Sequence, residues 1–189
     1  MKKLFARFVA WLGGGWTMEN NIPKDMKKCV IVAAPHTSNW DFIYGLAGLW
    51  ILGNRIRYLI KKEVMVPPLS WFIKWSGGIP VDRSKNNNMT QELVDLLDGN
   101  EDLFLLFPAE GTRSYVNKWK TGFYKVALET GLPIVLGYLD FEKRTGGYGA
   151  WFQPTGDKKK DFEFIEEFYK TKKGKHPEKY NPLVFEREE

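Results

Sequence analysis

The sequence predicts an α/β fold, a single-domain sandwich with a mostly parallel central sheet flanked by helices. Strand-like and helix-like segments alternate from residue 29 to residue 169, the order expected of βαβ units. The first strand-like segment contains the continuous apolar, β-branched run Cys29-Val30-Ile31-Val32, the signature of a strand buried on both faces. The chain has 189 residues and is 43% hydrophobic, enough for one real core.

Each element has its own signal. Residues 1–16 hold an amphipathic helix, with Leu4, Phe5, Phe8, Val9, Trp11 and Leu12 on one face and Lys2, Lys3 and Arg7 elsewhere. That pattern suits a helix lying in a membrane interface, and equally one packed on the domain's own core. Residues 17–170 form the main domain. Strands are expected at 29–34, 57–60, 79–81, 103–107 and 134–139, with an edge strand at 147–152. Helices are expected at 41–52, 69–75, 89–97, 123–130 and 162–169. Met89, Leu93 and Leu97 follow helical spacing, and Asp98-Gly99-Asn100 ends that helix. Gly131 stops the next helix. Residues 171–189 read as a polar, loose tail.

Charge and cysteine usage narrow the function. Residues 1–83 carry a net +7, residues 84–156 a net −2 and residues 157–189 none. A basic first half suits nucleic acid, an anionic membrane surface or a phosphorylated substrate. Trp50 falls in an expected helix and Trp40 directly at its start, which favours packing over base stacking and argues against nucleic acid. Cys29 is the sole cysteine, so no internal disulfide is possible, and its place in a strand argues against reactivity. His36 and His176 stand far apart without cysteine partners, so no metal site is expected. No apolar run is long enough to span a bilayer.

Three polar stretches fall at expected strand ends, where ligands gather in such folds. His36 ends a strand and Asp41 opens the next helix, so the carboxylate can reach one imidazole nitrogen and leave the other for a substrate proton. Ser38 with Asp41 also reads as an ordinary helix capping box. In Glu110-Gly111-Thr112-Arg113-Ser114, Gly111 permits a tight turn, Arg113 offers a planar fork for phosphate, and Thr112 and Ser114 add hydroxyls. Glu110 can hold Arg113 or orient a substrate hydroxyl. An ordinary polar turn would look the same. Arg83, after a short strand, is a second phosphate ligand in prospect, with Lys61, Lys62 and Lys120 behind it. The chain has no Gly-x-Ser-x-Gly elbow and no Walker or dinucleotide loop. A base and a phosphate cradle without an enzyme nucleophile suit direct transfer, in which the substrate's own hydroxyl attacks.

These stretches resemble, in order, the blocks of the glycerolipid acyltransferase family, typified by 1-acylglycerol-3-phosphate acyltransferases. Pro35-His36-Thr37-Ser38-Asn39-Trp40-Asp41 resembles its H-x-x-x-x-D block. Gly78-Ile79-Pro80-Val81-Asp82-Arg83 resembles the second block, Phe107-Pro108-Ala109-Glu110-Gly111-Thr112-Arg113-Ser114 the third, and Gly131-Leu132-Pro133-Ile134-Val135 the fourth. Lys120-Thr121-Gly122-Phe123 resembles the K-x-G-F stretch. Ala109 and Leu136 depart from the family's usual prolines.

The resemblance implies a glycerol-3-phosphate acyltransferase-like fold and transfer of a fatty acyl group to a hydroxyl of a glycerol phosphate lipid such as lysophosphatidic acid. The donor is a thioester of coenzyme A or acyl-carrier protein. His36 and Asp41 are then catalytic, the remaining residues named above bind substrate, and no cofactor is required. The expected setting is phospholipid biosynthesis in the cytoplasm, at the inner face of the cell membrane. A lysophospholipid transacylase, a thioester hydrolase using the same base and a non-enzymatic membrane-surface module are the alternatives.

Overall fold

The computed structural model describes residues 2–81 and 89–182. In chain order its elements are α1 (Lys2–Leu12), β1 (Thr17–Asn20), β2 (Lys28–Ala33), α2 (Trp40–Leu52), β3 (Ile56–Lys61), α3 (Leu69–Ser76), β4 (Gly78–Val81), α4 (Met89–Asp98), β5 (Leu103–Pro108), α5 (Gly122–Thr130), β6 (Ile134–Asp140), β7 (Thr145–Phe152) and α6 (Lys158–Tyr169). The strands form one seven-stranded sheet in the order β1-β7-β6-β2-β5-β3-β4. Every neighbouring pair is parallel except β6 with β7. The expected α/β fold is therefore present.

The alternation of β2 divides the core. Val30 and Val32 point into the larger cluster, with Leu93, Leu97, Phe123 and Ile165 from α4, α5 and α6. Cys29 and Ile31 point the other way, toward Leu49 and Leu52 of α2. A strand with a buried side chain at each of these positions must be apolar throughout, which explains its unbroken run.

Three local expectations need correction. β7 does not lie at the edge, because β1 pairs with it from Thr17↔Thr145 to Asn20↔Tyr148. The sequence Thr-Met-Glu-Asn has no clear apolar alternation, and its strand character comes from this distant partner. The segment after α6 is not loose as far as residue 182. The Phe141 N–H donates to the Lys173 carbonyl at 2.9 Å, and the Trp119 indole N–H to the Asn181 carbonyl at 2.9 Å. These anchors are backbone oxygens, which any side chain could accompany. Trp40, expected to pack, is 46% exposed and stacks on Tyr44.

The helix α1 separates its small and large apolar residues. Ala6 and Ala10 are buried, allowing close approach to α2. Leu4, Phe5, Phe8, Trp11 and Leu12 are all more than half exposed, so the helix packs on the domain without burying its large apolar face. Among the described residues no helix is long and apolar enough to cross a membrane.

Candidate active site

Parallel pairing of β2 with β5 brings two of the polar stretches together. The register matches Ala33 with Pro108, so the loops leaving both strands meet at the C-terminal edge of the sheet. The His36 backbone N–H donates to Glu110 Oε2 at 2.6 Å, across 74 residues of sequence.

Asp41 organises the first loop from the opening turn of α2. Its Oδ2 accepts from the Thr37 and Ser38 backbone N–H groups at 2.7 and 2.8 Å and lies 3.2 Å from His36 Nδ1. α2 starts from Asn39 with no side-chain cap, so of the expected capping box only the bond from the Ser38 N–H to this carboxylate forms. Asp41 ties down the turn and faces Nδ1, a geometry that places the imidazole proton on Nδ1 and leaves the Nε2 lone pair available. His36 retains 27% side-chain exposure, whereas Asp41 has only 5%. The imidazole can thus meet a substrate while its partner stays dry.

Glu110 does not hold Arg113. It turns beneath the His36 loop and is only 3% exposed. Burial pushes its carboxyl up to about 8, the His36 N–H opposes that shift, and the charge of Asp41 adds to it. At neutral pH the proton therefore stays mainly on Glu110. Glu110 Oε1 and Asp41 Oδ1 are buried without a hydrogen-bond partner.

A cavity of about 540 Å³ opens beside His36. Its wall includes His36, Asp41, Lys61, Gly111, Thr112 and Arg113, while Phe42, Leu46, Leu49, Ile60, Ile73 and Leu106 give it an apolar interior. The volume lies within the usual range for small-molecule sites. Arg113 is exposed at this cavity, where its guanidinium can reach solvent-borne ligands. Gly111 has φ +67°, which favours glycine, and a Cβ there would lie 3.2 Å from Lys120 Cγ. Lys120 thus sits beside the turn without lining the cavity.

Other expected ligands fall outside the wall. Lys62 is exposed on a short helical turn, and Ser114 is exposed, its N–H 3.4 Å from Thr112 Oγ1. Arg83 lies outside the described residues. Among those described, no three His, Cys, Asp or Glu side chains gather as a metal site.

Sequence reading missed the braces around the loop. The His176 backbone N–H donates to Thr37 Oγ1 at 3.2 Å, and Lys175 Nζ lies 4.8 Å from the Trp40 ring centroid. Tyr169 is fully buried, and its hydroxyl lies 2.6 and 2.8 Å from the Val32 and Gly137 carbonyls. It holds β2 and β6 together just before the loop begins. The only local hint was an aromatic at the end of an amphipathic helix. The whole arrangement can take a proton from a hydroxyl at the mouth of an apolar cavity.

The acyltransferase family model matches residues 16–136. Over 122 residues the chain is 34% identical to the 1-acyl-sn-glycerol-3-phosphate acyltransferase of Saccharomyces cerevisiae. That stretch covers 58% of this chain and 38% of the relative, so the match spans well under half of the yeast protein.

Proposed function

The chain belongs to the acyltransferase family, and from that premise we propose that it transfers a fatty acyl group from a thioester to a hydroxyl of a phosphate-bearing glycerol lipid such as lysophosphatidic acid. Coenzyme A or acyl-carrier protein carries the donor, and the reaction belongs to phospholipid biosynthesis. The observation that carries this reading is the His36–Asp41 pair at the mouth of a deep apolar cavity. A base at a polar surface needs no such cavity. A base acting beside an acyl chain does.

The chemistry follows from the atoms. His36 Nε2 removes the acceptor hydroxyl's proton while Asp41 favours the resulting imidazolium. The acceptor oxygen bonds to the thioester carbonyl carbon, and the carbon–sulfur bond breaks. The departing sulfur takes the proton from His36, giving an ester and a free thiol. The acyl chain lies along Phe42, Leu46 and Leu49. Arg113 receives the acceptor's phosphate, with Thr112 and the Gly111 backbone beside it and Lys61 across the cavity. Glu110 positions the His36 backbone. Arg83, Lys62, Ser114 and Lys120 remain proposed contacts of the polar headgroups. No metal or bound cofactor takes part.

Both substrates are lipid-like, so the enzyme works at a bilayer surface. The exposed large residues of α1 enter the acyl boundary, with Arg7 near anionic headgroups. We place it peripherally on the cytoplasmic face of the cell membrane.

Thiol release from an acyl thioester, measured with and without lysophosphatidic acid, tests the activity. Acceptor-dependent release with formation of the diacyl product is expected. Acceptor-independent release would make the protein a hydrolase, and no release would leave it a binding module.

A further inference from the structure

A second cavity, of about 470 Å³, lies between the start of α1, the ends of α2 and α3, and the start of β3. Lys2, Lys3, Arg55, Arg57 and Lys74 line it, and among the described residues no carboxylate does. Among the described residues, none of the five forms an ion pair. Two helix C-termini meet here, at Gly53 and Gly77, and some basic charge is needed to oppose their dipoles. Each helix end is worth about −0.5 of a charge, so five cations leave a surplus of roughly +4. Dipole compensation does not account for that excess.

The residues shape the cavity as well as charge it. Gly53 has φ +86°, and a Cβ there would stand 2.7 Å from Lys3 Nζ. The missing side chain makes room for the ammonium group. Lys2 Nζ lies 3.9 Å from the Trp75 ring centroid, so one tryptophan face holds a cation at the cavity wall.

The same tryptophan joins the cavity to an exposed aromatic band. Phe5, Trp50, Trp75 and Phe72 make successive ring contacts at 6.5, 5.4 and 5.9 Å. Phe5, Trp75 and Phe72 are 59, 57 and 40% exposed. A basic cavity bordered by such a band matches the boundary between headgroups and acyl chains.

We propose that this cavity binds the phosphate of an anionic lipid headgroup, as a second lipid site distinct from the cavity beside His36. The charge calls for phosphate, and continuity with the aromatic band selects a lipid as its source. The proposal rests on the peripheral-membrane reading above and adds a specific seat to it.

Arg55→Gln with Lys74→Gln tests it, since neither residue is assigned to acyl transfer. Binding is measured to phosphatidylcholine vesicles with and without phosphatidylglycerol, and to soluble glycerol phosphate. The comparison variant, Lys158→Gln with Lys159→Gln, removes the same charge from α6 on the opposite face of the sheet. The double variant at the cavity should bind phosphatidylglycerol vesicles about 30-fold more weakly, roughly fivefold per charge. The α6 variant should stay near wild type, as should acylation of a soluble short-chain acceptor by the cavity variant. An equal loss in both variants would reduce the cavity to diffuse attraction, and no loss would remove it as a site. Glycerol phosphate binding as tightly as vesicles, and lost in the cavity variant, would overturn the lipid source in favour of free phosphate. Wild type ignoring the anionic vesicles would overturn the seat and the membrane reading together. Absent acyl transfer with the vesicle results intact would overturn only the enzymatic reading.

Discussion

The two cavities share Leu46, Leu49 and Tyr58 as a wall, yet they use charge in opposite ways. Beside His36 the acidic groups are buried and held by short hydrogen bonds to backbone N–H groups. At the other cavity Lys2, Lys3, Arg55 and Lys74 are exposed and form no ion pair among the described residues. Burial makes a charge costly, so it must be fixed by partners and can then orient one atom. Exposure makes a charge cheap and its attraction long-ranged, but leaves it open to salt. The first arrangement suits chemistry at a point, and the second suits attraction to a surface.

The largest test of this contrast is His36→Ala. Turnover should fall by about a hundredfold or more, as for loss of a general base. The melting temperature should hardly change, because the imidazole is partly exposed and adds little packing. Retention of a tenth of the wild-type rate would remove His36 from the base role.

Arg113→Lys should give a smaller loss, on the order of tenfold, because a point charge cannot replace a two-pronged guanidinium. The defect should lie in KM for a phosphate-bearing acceptor and fade with one lacking phosphate. Equal losses for both acceptors would assign Arg113 to architecture instead.

Salt should separate the cavities directly. Raising ionic strength to physiological values should weaken binding to anionic vesicles several-fold while sparing turnover of a soluble, uncharged acceptor. A parallel fall in both would show that the catalytic cavity also depends on exposed charge.

The last expected effect is on stability. Glu110 titrates at about 8 when folded against an ordinary 4.5, so the folded chain holds its proton more tightly between those values. Its contribution is complete below about 4.5 and is lost as pH rises toward about 8. Wild type should lose melting temperature across that window, and Glu110→Gln should flatten the decline. Unchanged slopes would mean that Glu110 is ionised throughout.

Local pattern and chemical spacing already determined much of this protein. The unbroken apolar run of β2, the helical spacing of Met89, Leu93 and Leu97, and the interval from His36 to Asp41 each follow from contacts within a few residues. Such contacts leave their mark in the sequence as periodicity. Tertiary structure alone decided the pairings. Thr17–Asn20 became a strand only against residues 145–148, and Glu110 proved to serve the His36 backbone rather than Arg113. The brace from His176 to Thr37 spans 139 residues, and the basic cavity collects Lys3 from α1, Arg55 from the connection before β3 and Lys74 from α3. A strand's apolar face records that it will be buried but not against which partner. A backbone hydrogen bond is available to almost any residue, so its distant partner is fixed only when the chain closes on itself.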